Sequence, residues 1–144
     1  MGKIFITGDI HCDIDIHKLT THNWLAQKNL TYDDVLIIAG DFGVPWGLPE
    51  NKTDRYILKW HNNKPYTTLF IDGNHENFDA LDQYPKIKFA NAICQEIRPH
   101  VLHVMRGEVL HLNNHKIWCM GGGISSDKKD RKEHISWWSQ EEPS

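Results

Sequence analysis

The chain has 144 residues, 40% of them hydrophobic and 24% charged, a balance that fits one domain with a buried core and excludes a disordered or fibrous chain. Its net charge is −3, from 16 basic and 19 acidic residues, so a nucleic-acid binder relying on phosphate electrostatics has no support. The cleanest apolar run, Val35 to Ala39, is far below the ~18 residues of a membrane span, and neither a signal peptide nor a myristoylation pattern (Ile6 stands where Ser or Thr is needed) opens the chain. The expectation is a cytoplasmic protein with no membrane association.

In chain order, residues 3–7 read as a strand leading into Gly8-Asp9. Residues 35–39 lead likewise into Gly40-Asp41, and residues 67–72 into Gly73-Asn74. All three runs are nearly continuous and rich in β-branched residues, as expected for strands of a largely parallel sheet buried on both faces. From Asp9 to Asp41 is 32 positions, and from Asp41 to Asn74 is 33, the length of a strand, a crossover helix and a return. Helices are expected over 16–29, 51–62 and 76–84, the last two closed by Pro65 and Pro85. After Pro99, strands are expected over 101–105, 108–112 and 115–120, with Asn113-Asn114 as a hairpin turn tolerant of positive φ. Gly121-Gly122-Gly123 frees the backbone for a close approach, and a polar tail carrying Trp137-Trp138 follows.

Ligands of parallel α/β sheets bind beyond the carboxyl ends of the strands. The three strand ends therefore bring Asp9, His11, Asp41, Asn74 and His75 to one rim. Two carboxylates, two imidazoles and an amide oxygen suit Mn, Fe or Zn better than Ca. Three widely spaced cysteines, Cys12, Cys94 and Cys119, form no readable disulfide framework or zinc motif.

Gly8-Asp9-Ile10-His11, Gly40-Asp41 and Gly73-Asn74-His75-Glu76, in this order and spacing, resemble the calcineurin-like metallophosphoesterases. Their pattern is D-x-H, G-D, G-N-H-[D/E], a single His and G-H-x-H; the first three blocks are present, and the resemblance spans residues 1–123. It implies an α/β fold, a four-layer αββα sandwich of two mixed sheets. No Gly-His-x-His occurs, so residues 1–144 are expected to form a metallophosphoesterase domain that is incomplete at its C-terminus.

The resemblance also implies roles. Asp9 and His11 would hold a first metal, Asp41 would bridge, and Asn74 would hold a second. His75 would act with Asp41 in catalysis, close to the phosphate, as general acid or electrostatic stabiliser. Two divalent ions (Mn, Fe or Zn) occupy the complete family site, with one or none expected where the last blocks are missing. The implied activity is hydrolysis of a phosphomonoester or phosphodiester by metal-bound hydroxide. The alternative is a structural or metal-binding module, either catalytically incompetent or completed by another copy or a partner chain.

Other residues have plainer readings. Cys12 stands where the family often has Gly, and a thiol there would crowd, soften or oxidise the site. Glu76 reads as a first-turn helix residue favoured by the macrodipole. The glycine run reads as a loop beside the site, and Trp137-Trp138 as packing for a further part of the domain. His111 and His115 read as a solvated hairpin edge, Cys94 and Cys119 as core. Asp127 and Arg131 are spaced as a helical ion pair, and lining of the substrate pocket is the other reading of them.

Overall fold

A computed structural model describes residues 2–143 of the chain. Strands β1 (Ile4–Gly8), β2 (Val35–Ala39) and β3 (Thr67–Ile71) are parallel neighbours, and Gly8, Ala39 and Ile71 end them in register. Strands β2 and β3 are buried along nearly their whole length, as their unbroken apolar pattern predicts. Strand β1 lies at the sheet edge and leaves Ile6 exposed, so burial on both faces does not extend to it.

Two strands fall outside the sequence pattern: β4 (Lys86–Phe89) and β5 (Ala92–Arg98), joined by Ala90 and Asn91, both at positive φ. With β6 (Val101–Val104) they complete a six-stranded mixed sheet in the order β1-β2-β3-β6-β5-β4. A second sheet pairs β7 (Val109–Leu112) with β8 (His115–Trp118) through the expected Asn113-Asn114 turn, whose φ values are 46° and 64°. Leu110 and Cys119 pack on one face of the large sheet, against Ile37, Leu69, Cys94 and Leu102. The opposite face, carrying Leu36, Ile38 and Phe70, is covered by helices. Helix, mixed sheet and second sheet thus stack in the order of the implied sandwich, the second sheet being an antiparallel pair.

Helix α1 (Lys52–Asn62) forms where expected. Asn51 caps it in a reciprocal box with Asp54, and Ile57 and Leu58 face the core. The helix expected over 16–29 is instead two 3-10 turns, Ile16–Leu19 and Leu25–Asn29. Between them the Thr20 hydroxyl and the Asn23 amide both donate to His17 O at 2.8 Å, local bonds that compete with an α-helical ladder. Lys64 and Gln27 then tie the turns down, with Lys64 Nζ donating to Leu19 O at 2.9 Å and Gln27 Nε2 to the same oxygen at 3.0 Å. The helix expected over 76–84 shrinks to α2 (Phe78–Leu81), capped by Asn77.

The tail folds onto this body. Trp138 is buried edge-on to Trp46, with its ring N–H donating to Asp79 at 2.7 Å, so it packs within the present chain. Cys94 and Cys119 are buried as expected, and His111 sits at an exposed edge, where it accepts from Asn91.

Candidate metal centre

Each of the three loops after β1, β2 and β3 is bonded to the next. The backbone N–H of His11 donates to Asp41 O, and that of Cys12 to Phe42 O, both at 2.9 Å. Phe42 and Gly43 in turn donate their N–H groups to the Glu76 carboxyl at 2.8 and 3.0 Å. His11, Cys12 and Asp41 all hold positive φ, at 45°, 60° and 46°, a conformation L-residues adopt under constraint and often at functional sites. Gly73 permits a close approach: a Cβ there would lie 1.9 Å from Asp41 Oδ1.

Within this frame His11, Asp41 and His75 offer ligand atoms within 4.8 Å of one another. His11 Nε2 lies 3.6 Å from Asp41 Oδ2 and 4.0 Å from Asp9 Oδ2. His75 binds Asp41 twice, through its backbone N–H at 2.9 Å and ring Nδ1 at 3.0 Å. Burial pushes the Asp41 carboxyl up, but the two His75 bonds outweigh it and hold Asp41 below the ordinary carboxylate range. Asp9, Asp41 and Asn74 line one cavity of 270 Å³ at the strand ends, closed on one side by Gly122. A larger cavity of 510 Å³ lies between α1 and residues 13–20, walled by Ile16, Tyr56 and Trp60.

His11, Asp41 and His75 therefore converge, Asp9 stands 4.0 Å from His11, and Asn74 shares the strand-end cavity with Asp9 and Asp41. Asp9 is the most open of the group, with 56% of its side chain exposed. Asn74 donates its amide N–H to Ser125 Oγ at 3.0 Å, which leaves its carbonyl oxygen available as a donor atom. Carboxylate and imidazole at these spacings, with the Asn74 amide oxygen in the same cavity as Asp41, are the donor types of a hard-to-borderline divalent cation.

Several neighbours differ from their sequence reading. Glu76 is not in a helix turn: it is buried, and that burial raises its carboxyl to about 8 despite the two amides it accepts. The Cys12 thiol is pushed up to about 11, first by burial and then by Asp13, which holds it protonated and makes it a poor oxidation target. The glycine run does lie beside the site. Gly122 N–H donates to Asp72 O at 2.9 Å, and a Cβ on Gly123 would touch Asn74 Cβ at 3.4 Å.

Two contributors carry no motif. Asp72 is buried between His103 Nε2 at 3.0 Å and the Arg106 guanidinium at 2.7 and 2.8 Å. Burial alone would raise it, but His103 and then Arg106 hold it below the usual carboxylate range. Arg131 pairs with Asp127 at 2.9 Å, not along a helix but around the 3-10 turn Lys128–Asp130, and its guanidinium donates to His75 Nε2. The i,i+4 spacing marked the pair; the approach to His75 depends on a tail path with no local signal.

Among the described residues no helix is long and apolar enough to cross a membrane. Comparison with curated proteins and with solved structures returned no match. The family model described as calcineurin-like phosphoesterase matches residues 2–144. With the three motif blocks gathered at one rim, the chain belongs to the calcineurin-like phosphoesterases.

Proposed function

We propose that this chain hydrolyses a phosphate ester in a reaction that depends on a divalent cation, Mn²⁺, Fe²⁺ or Zn²⁺, held by Asp9, His11, Asp41 and Asn74. The observation that carries the reading is the convergence of His11, Asp41 and His75 within 4.8 Å at the strand ends, in a chain whose family is phosphoesterases. A bound cation supplies, in such sites, a hydroxide at neutral pH and positive charge beside the phosphoryl oxygens.

The protein's own groups do the rest. Asp41, fixed by His75 and by the close passage of Gly73, keeps its carboxylate ionised and aimed into the cavity. Arg131 can only donate, so His75 Nε2 accepts from it and the ring proton sits on Nδ1, directed at Asp41 Oδ2. That tautomer favours electrostatic stabilisation of the phosphate by the His75–Arg131 pair over proton delivery from Nε2. The strained, mutually bonded loops preorganise these groups before substrate arrives.

The test is hydrolysis of an aryl phosphate by chelator-treated protein with and without Mn²⁺, beside Asp41→Asn. The reading expects Mn²⁺-dependent turnover that falls to background in Asp41→Asn. Equal rates in the two proteins would overturn it. A metal-binding module without catalysis is the second reading, and it predicts cation uptake with no turnover.

A further inference from the structure

We propose that Arg131 is a phosphate-binding residue that makes this site one for phosphomonoesters, an inference that rests on the functional reading above. Its side chain is only 13% exposed, and Asp127 at 2.9 Å and Ser136 O at 3.3 Å hold it against His75. Nε lies against Asp127 in the ion pair, and one N–H of NH1 goes to Ser136 O and one of NH2 to His75. One N–H on each terminal nitrogen remains without a protein partner among the described residues.

Two free donors on one planar guanidinium match two oxygens of a phosphoryl group. Lys128, in the same tail turn, is occupied by Glu142 at 2.6 Å and lies over the Trp137 ring, so it does not compete for this role. A phosphomonoester presents three terminal oxygens and up to two negative charges; a diester presents two oxygens and one charge. A guanidinium held against His75, in addition to the cation-binding cluster, therefore rewards the terminal oxygen and charge that only the monoester has.

The experiment compares wild type, Arg131→Ala, Arg131→Lys and, as a surface-charge control, Lys129→Ala. Inorganic phosphate binding to Mn²⁺-loaded protein is read by calorimetry, and kcat/KM is read on an aryl phosphomonoester and a bis-aryl phosphodiester. Arg131→Ala is expected to weaken phosphate binding by about 10- to 100-fold, the worth of hydrogen bonds to a charged group. Arg131→Lys, which keeps charge but not the fork, falls between, and Lys129→Ala binds as wild type. Monoester kcat/KM is expected to fall at least about tenfold more than diester kcat/KM in Arg131→Ala. Unchanged phosphate binding in both Arg131 variants, or equal losses on the two esters, would overturn the proposal. If wild type hydrolyses neither ester, the functional reading fails, while the phosphate titration still decides whether Arg131 binds the anion.

Discussion

Glu76 accepts the backbone N–H of Phe42, 34 positions earlier in the chain, at 2.8 Å, and its second oxygen accepts that of Gly43. One carboxyl thus holds the loop that carries Asp41 to the loop that carries Asn74 and His75. In Glu76→Gln one oxygen becomes an NH₂ group, which faces a backbone N–H whichever way the amide turns and cannot accept from it, whereas the hydroxyl oxygen of the protonated Glu76 carboxyl still can. A loss of about 1–3 kcal/mol is expected, read by urea unfolding, together with weaker Mn²⁺ binding. Wild-type stability and affinity in this variant would show that the loops hold their shape without it.

His61 is fully buried between the Phe42 and Trp60 rings, and neither ring nitrogen has a hydrogen-bond partner among the described residues. Burial, and then the Lys64 charge, lower its titration from 6.5 to about 3. Between those values the unfolded chain binds a proton that the folded chain does not. Stability therefore falls as pH falls through this window, by up to ~1.4 kcal/mol per pH unit from this group. His61→Phe is expected to raise the urea midpoint at pH 7, by removing two unpartnered polar atoms, and to flatten the decline between pH 6.5 and 4. A decline as steep as in wild type would place its origin elsewhere.

Arg106 links the buried Asp72 to the tail, donating also to Glu142 O at 3.1 Å. Removing it leaves Asp72 with His103 as its one remaining side-chain partner and releases the segment that presents Ser125 and Arg131. Arg106→Leu is expected to cost on the order of 3 kcal/mol and to raise hydrogen exchange over residues 121–143 before the large sheet is affected. Uniform exchange across both regions would contradict a tail fastened at this point.

The parallel half of the sheet and the convergence of His11, Asp41 and His75 were legible because each strand ends in the same kind of turn. Buried strands such as β2 leave an unbroken apolar run, and Gly-Asp or Gly-Asn follows it. Strands β4 and β5 leave no such trace. Lys86 and Lys88 alternate with Ile87 and Phe89 at a sheet edge, and the turn uses Ala90 at positive φ, a residue that does not advertise one. The crossover over 16–29 carried helical spacing, but Thr20 and Asn23 redirected the backbone. Glu76 and Arg131 act through partners dozens of residues away, and only the folded chain shows which amide or ring each one meets.

The central claim is that the rim holds a divalent cation, and the most direct measurement is the anomalous difference density of crystals soaked in Mn²⁺, collected at the manganese edge. The account predicts a peak at ~2.0–2.3 Å from ligand atoms of Asp41 and His11, absent in Asp41→Asn crystals. No peak at the rim of the wild-type protein, or one bound only at distant surface residues, would contradict it.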